Sequence, residues 1–223
     1  SSTENACGLF GWLNGAKIYD LALHKTTTIG IGNTLPLYAG TIAAVATGAV
    51  ELTNVAVYGN IVLTRTTTTQ TMRNDVGGLI GFAQDAIKFR FCAYSGTIEC
   101  TAFAAGTATT CSSNDIHSAG GFLGRASGSI TADGCYINAD FKMHNGGINI
   151  GGVAGNIFNT ANISDKISNT ILKLHASVDG VTNSPDIYYI SGRFTTCTAT
   201  VSNVYVTKKS GGNNFSSFYR AAC

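Results

Sequence analysis

The sequence predicts an all-β fold, a parallel β-helix (β-solenoid) running through residues 1–223 as one domain of about six irregular coils. Three observations predict it. A short phrase of apolar residues and glycines returns six times: ACGLFG (6–11), AGTIAA (39–44), VGGLIG (76–81), AGGFLG (119–124), IGGVAG (150–155) and ISGRFT (190–195). The coils therefore start near residues 6, 39, 76, 119, 150 and 190, and a phrase recurring at intervals of roughly 20–50 residues marks a stacked or radial repeat. After each phrase comes a run alternating apolar and polar residues, the period of a β-strand, and no stretch keeps a helical period.

Taken in order, the alternating runs are IYDLAL (18–23), NVAVYGNIVL (54–63), FCAYSGTIEC (91–100), GCYINADFKM (134–143), ISNTILKL (167–174) and VSNVYV (201–206). Val55, Val57, Ile61 and Leu63 share one face, since successive side chains in a strand point to opposite sides. Cys92, Tyr94, Ile98 and Cys100 take that face one repeat later, and Cys135, Ile137 and Phe141 the next. The stretch 163–175 has mixed spacing and is read as strand. The segments between repeats vary in length, are polar and are rich in threonine (26–28, 66–69, 107–110), as loops on one edge of a stack would be. The phrase glycines serve either a corner with positive φ or a backbone approach that a side chain would block. A six-bladed β-propeller is the alternative architecture. Its blades need four strands, however, and the shortest interval here is 31 residues.

The phrases CGLFG, VGGLIG and AGGFLG, each followed by an apolar strand of the N-V-x-V-x-G type, resemble the GLUG-motif repeats of bacterial and protist surface proteins. The resemblance spans residues 6–206, and the copies at Ala39 and Ile190 depart from it by losing glycines. It implies a parallel β-helical solenoid at the cell surface, acting in adhesion or as a structural stalk. It carries no catalytic residues across.

Composition narrows the function classes. Only 12% of residues are charged, about half the usual share, so Thr, Ser, Asn and Gly must cover the surface. The net charge of +2 comes without a basic stripe, which argues against nucleic acid as a partner. The most apolar stretch, 39–59, holds Glu51 and three threonines and fits the repeat better than a membrane span. The first residue, Ser1, reads as a processed end or as the start of a piece of a longer protein.

Seven dispersed cysteines with little charge suit an oxidising, extracellular or cell-surface setting. Cys92 and Cys135 both fall sixteen residues after their phrase starts, so they stack on adjacent coils either as a disulfide or as buried thiols. Cys100 with Cys111, and Cys197 with Cys223, are the other candidate bridges. Asn162 and Asn214 open N-glycosylation sequons. The first phrase leaves no room for a cap, and a polar tail (207–223) follows the last strand. Cys7, Leu9, Phe10 and Trp12 at one end, and Phe215, Phe218 and Tyr219 at the other, are therefore candidate self-assembly contacts. The tail aromatics alternatively plug the last coil.

No catalytic, cofactor or metal constellation emerges. There is no C-x-x-C pair, His24, His117, His144 and His175 are placed in or beside loops, and Asp133, Asp140 and Asp165 read as solvated turn residues. The expectation is a non-enzymatic extracellular structural protein, without cofactor, that stacks head to tail into a filament or surface coat. Its partners would be copies of itself or adjoining parts of a longer chain. The alternative is an adhesin or carbohydrate-binding module using the variable loops, above all 101–118.

Overall fold

The computed structural model describes residues 5–31, 35–65, 73–100, 117–144, 148–158, 164–179, 186–195, 198–208 and 211–215. Each repeat forms one coil, and all strand pairing is parallel, between one coil and the next. Sheet A stacks β1 (Asn5–Cys7), β5 (Leu37–Gly40), β9 (Asn74–Gly77), β13 (His117–Gly120), β17 (Ile148–Gly151) and β20 (Asp186–Tyr188). Sheet B stacks β2 (Phe10–Asn14), β6 (Ala43–Thr47), β10 (Ile80–Ala83), β14 (Leu123–Ala126), β18 (Ala154–Phe158) and β21 (Ser191–Thr195). Sheet C holds the alternating runs. They are β3 and β4 (Lys17–His24, Thr27–Ile31), β7 and β8 (Val50–Tyr58, Ile61–Arg65), and β11 and β12 (Ile87–Arg90, Ala93–Cys100). The remaining three coils contribute β15 and β16 (Ile130–Asp133, Tyr136–His144), β19 (Ser164–Asp179) and β22 (Thr198–Lys208). This is a parallel β-solenoid and not a propeller, whose blades need hydrogen bonds between strands of the same repeat. The stretch at 163–175 lies within strand β19 from Ser164 onward. No helix of the described residues is long and apolar enough to cross a membrane.

Each repeated phrase straddles a sharp arch from sheet A to sheet B. Val76 and Gly77 end β9, Gly78 and Leu79 make the arch, and Ile80 and Gly81 open β10. None of these glycines has positive φ. They are needed for close approach. A Cβ on Gly77 would lie 2.0 Å from the Ile80 carbonyl oxygen, and one on Gly120 would lie 2.0 Å from that of Leu123. From the second coil on, the second arch residue turns inward, so Ile42, Leu79, Phe122, Val153 and Ile190 are all buried, whereas its first-coil counterpart Leu9 is exposed.

The sixth copy begins at Ile187, not Ile190, because Ile187 pairs with Ile150. Tyr188 and Tyr189 occupy the Gly-Gly positions there. The atoms that crowd Gly77 from the following coil, Gly124 N and Phe122 O, have no counterpart there, since the described residues contain no seventh coil.

The true positive-φ corner lies inside sheet C. Asp20, Asn54, Phe91, Gly134, Asn169 and Asn203 occupy equivalent rungs with φ between 49° and 64°. Asx residues and glycine tolerate this region better than other types. Their side chains also tie coils together. Asn54 Nδ2 donates to Asp20 Oδ1 at 2.6 Å, and Asn203 Nδ2 to Asn169 Oδ1 at 3.1 Å. Phe91 is the exception, an exposed aromatic in a left-handed conformation whose ring lies over Gly134.

The core runs along the axis as columns of in-register side chains. One is Ile18, Leu52, Phe89, Ala132, Ile167 and Val201. Another is Leu23, Val57, Tyr94, Ile137, Leu172 and Val206. The four inner members of each column are at most 1% exposed.

Candidate functional site

The two ends of the solenoid differ from its middle in one respect. Ile18, Leu21 and Leu23 of the first coil, and Val201, Val204 and Val206 of the last, belong to the same inward columns that are closed elsewhere, yet they are only half-buried. Strands β3 and β22 also present an unpaired edge among the described residues. An open edge with apolar residues beside it is a template for a further strand.

The expected end contacts fall into two groups. Leu9, Phe10 and Trp12 are exposed on the first coil, and Trp12 Nε1 donates to Thr47 Oγ1 at 2.8 Å. Cys7 is half-buried with a free thiol. At the other end Phe215 is buried and stacks on Tyr189 with ring centroids 5.4 Å apart. It plugs the last coil. The backbone N–H of Asn213 donates to the Ala176 carbonyl, which holds the plug segment on the edge of β19 beyond β22. Phe218 and Tyr219 lie outside the described residues.

Cys92 and Cys135 do stack on adjacent rungs, but as buried free thiols. Cys92 Sγ donates to the Leu52 carbonyl at 3.2 Å and Cys135 Sγ to that of Phe89 at 3.7 Å, each leaning toward the preceding coil. In-register parallel strands hold equivalent Cβ atoms about 4.8 Å apart with parallel vectors, whereas a disulfide draws them to about 3.8 Å. Cys100 is likewise a free, buried thiol, stacked between Leu63 and Met143. Burial pushes the Cys100 and Cys135 thiols up to about 12. Cys111, Cys197, Cys223, the sequon at Asn162 and the loop residues 101–116 lie outside the described residues. Asn214 is exposed, and its Oδ1 accepts from Lys208 Nζ.

The acids do not converge. Asp133 sits outside the sheet C corner and accepts from Ser168 Oγ and Asn169 Nδ2, both at 2.8 Å, which lowers its pKa. Asp140 lies on the outer face and pairs with His175 Nδ1 at 2.6 Å. Asp165 corrects the reading of a solvated turn residue, because it points into the core where other coils place Val50, Ile87 and Ile130. Its Oδ1 accepts from the Ile130 N–H at 2.7 Å, its Oδ2 has no partner, and burial raises its pKa to about 6. The histidines were expected in or beside loops; His24, His117 and His144 stand at strand ends beside the connecting segments, while His175 sits within β19, and all four touch the adjacent coil. His24 stacks on Tyr58, His117 Nδ1 accepts from the Asn74 N–H, and His144 meets Asp179. Among the described residues no three His, Cys, Asp or Glu side chains are grouped to hold a metal ion.

The fold defines the chain as a parallel β-solenoid protein. No family model matches the chain, nor does any curated protein or solved structure.

Proposed function

We propose that this is a non-enzymatic, extracellular structural solenoid of the GLUG-repeat type, which stacks head to tail into a filament or surface coat. One observation supports it. The half-buried residues of the first and last coils continue the same columns, so a second copy in register sets Ile18 on Val201, Leu21 on Val204 and Leu23 on Val206. Apolar meets apolar at each rung, and the open edges of β3 and β22 gain a parallel partner. Because the first and last coils are different surfaces, the contact is heterologous and does not close on itself unless the rotation per copy allows a ring.

The test is sedimentation velocity over a concentration series, with electron microscopy of the same samples. The parent chain is expected to form a ladder of oligomers. Leu21→Lys and Val204→Lys each block one end, because a cation there would be buried against an apolar column. Each variant alone stays monomeric. Their equimolar mixture stops at dimers, since each keeps one intact end. A parent chain that remains monomeric at all concentrations, or a mixture that never pairs, refutes the reading.

A further inference from the structure

The outer face of sheet C carries a strip that neither the core nor the ends use. Tyr136, Ile171 and Tyr205 occupy one outward column on coils four, five and six, in register, and are 37%, 45% and 71% exposed. On the first three coils the same column holds Ala22, Ala56 and Ala93, so within this column the large side chains stand on the last three coils. Beside the strip runs a column of Asn138, Lys173 and Thr207, and across the corner stand Lys166 and Ser168. Further along that face a groove of about 280 Å³ opens between Lys17, Glu51, Lys88 and Thr131.

Aligned rather than scattered exposed rings make a contiguous surface on which a flat ligand can stack. The strip is flanked by lysines. Among the described residues Lys88, Lys166 and Lys173 have no ion-pair partner; the acids of the same face are Glu51 in the groove, Asp140 paired with His175, and Asp133, which accepts from Ser168 and Asn169. The spacing is also suggestive. Coils repeat about every 4.8 Å along the axis, and an extended chain of equatorially linked pyranoses advances by a similar distance per sugar.

We propose that this strip binds an acidic polysaccharide lying along the solenoid axis. Sugar faces stack on Tyr136 and Tyr205, uronate carboxylates meet Lys166 and Lys173, and a hydroxyl bonds to Thr207. The site lies on the flank, so single and stacked copies present it alike, and it stands or falls apart from end-to-end assembly.

The test is calorimetric titration of the full chain with a β-1,4-linked mannuronate hexasaccharide and, as the neutral counterpart, cellohexaose. Mannuronate is expected to bind, and more weakly as salt rises. Tyr136→Ala and Tyr205→Ala are each expected to weaken binding roughly three- to tenfold, with Tyr136→Phe retaining it. Lys166→Ala with Lys173→Ala removes the preference for mannuronate over cellohexaose. Absence of binding to either sugar, equal binding to both by the parent chain, or affinity unmoved by both Tyr→Ala variants overturns the proposal. All substituted side chains are exposed, and circular dichroism of each variant identifies any that misfold, in which case Tyr136→Phe against parent still tests whether the ring or the hydroxyl carries the contact.

Discussion

Replacing Asp165 by Asn isolates the cost of burying its carboxyl group. Burial lifts its pKa from the ordinary 3.8 to about 6, against the small opposing effect of the Ile130 N–H. The sign follows directly. At low pH the carboxyl is protonated in both the folded and the unfolded chain, and nothing is lost. As pH rises through about 4 the unfolded chain ionises first, so stability falls until the folded group also ionises near 6, and the penalty is constant above that. A proton held that much more tightly corresponds to about 3 kcal/mol. In Asp165→Asn the amide oxygen still accepts from Ile130, and the amide group contributes a burial cost that does not change with pH. The stability difference between variant and parent is therefore expected to shift by about 3 kcal/mol in favour of the variant between acid and mildly alkaline solution. For a chain of this size that corresponds to about 6–12 °C in melting temperature. Thermal melts followed by circular dichroism at the two pH values, on both proteins, give the double difference directly. A double difference near zero would refute the claim that Asp165 ionises at a cost inside the core.

Three further outcomes follow from the stacking. Gly120→Ala forces a Cβ to 2.0 Å from a backbone carbonyl and is expected to cost more than about 4 kcal/mol, whereas Gly11→Ala, with nothing within 4 Å, stays within about 0.5 kcal/mol of parent; urea titration ranks them. Asn169→Ala loses a residue suited to positive φ and its bonds to Asp133 and Asn203, and urea titration is expected to show a loss of about 1–3 kcal/mol. Alkylation of the native chain followed by peptide mass spectrometry should leave Cys92, Cys100 and Cys135 unmodified until urea is added, and a cross-linked Cys92–Cys135 peptide would contradict the free-thiol ladder.

The columns were legible in the sequence because burial imposes period two. Val55, Val57, Ile61 and Leu63 had nowhere else to point, and their counterparts at Cys92, Tyr94 and Ile98 repeat the pattern in register. The role of the glycines was only half legible. A Gly-Gly pair reads the same whether it supplies positive φ or makes room for a neighbouring backbone, and only the next coil decides. Tyr188 and Tyr189 hid the sixth phrase for the same reason. The corner ladder was within reach of sequence reasoning, since Asp20, Asn54, Gly134, Asn169 and Asn203 stand at one offset before an apolar strand, but Phe91 breaks the series. The cysteine bridge failed because spacing gives the rung of a side chain and not the direction of its Cα–Cβ bond. Asp165 was missed because the chain around it offered no partner that would mark it as inward. The outer strip was missed because Tyr136, Ile171 and Tyr205 belong to three different repeats, and their alignment exists only in the stack.

Tyr188 and Tyr189 have a mechanical consequence for any column of stacked copies. Within one molecule the glycines let sheets A and B close as tightly as sheet C, so the coils lie flat on one another. At a junction between copies the two tyrosines prop the A–B corner apart while the sheet C columns still meet. Each joint is then a wedge, and a series of equal wedges bends steadily instead of running straight. The curvature of such a fibre would be set by these two side chains and by Phe215 stacked on Tyr189, and trimming them would reduce it without touching the strands that hold it together.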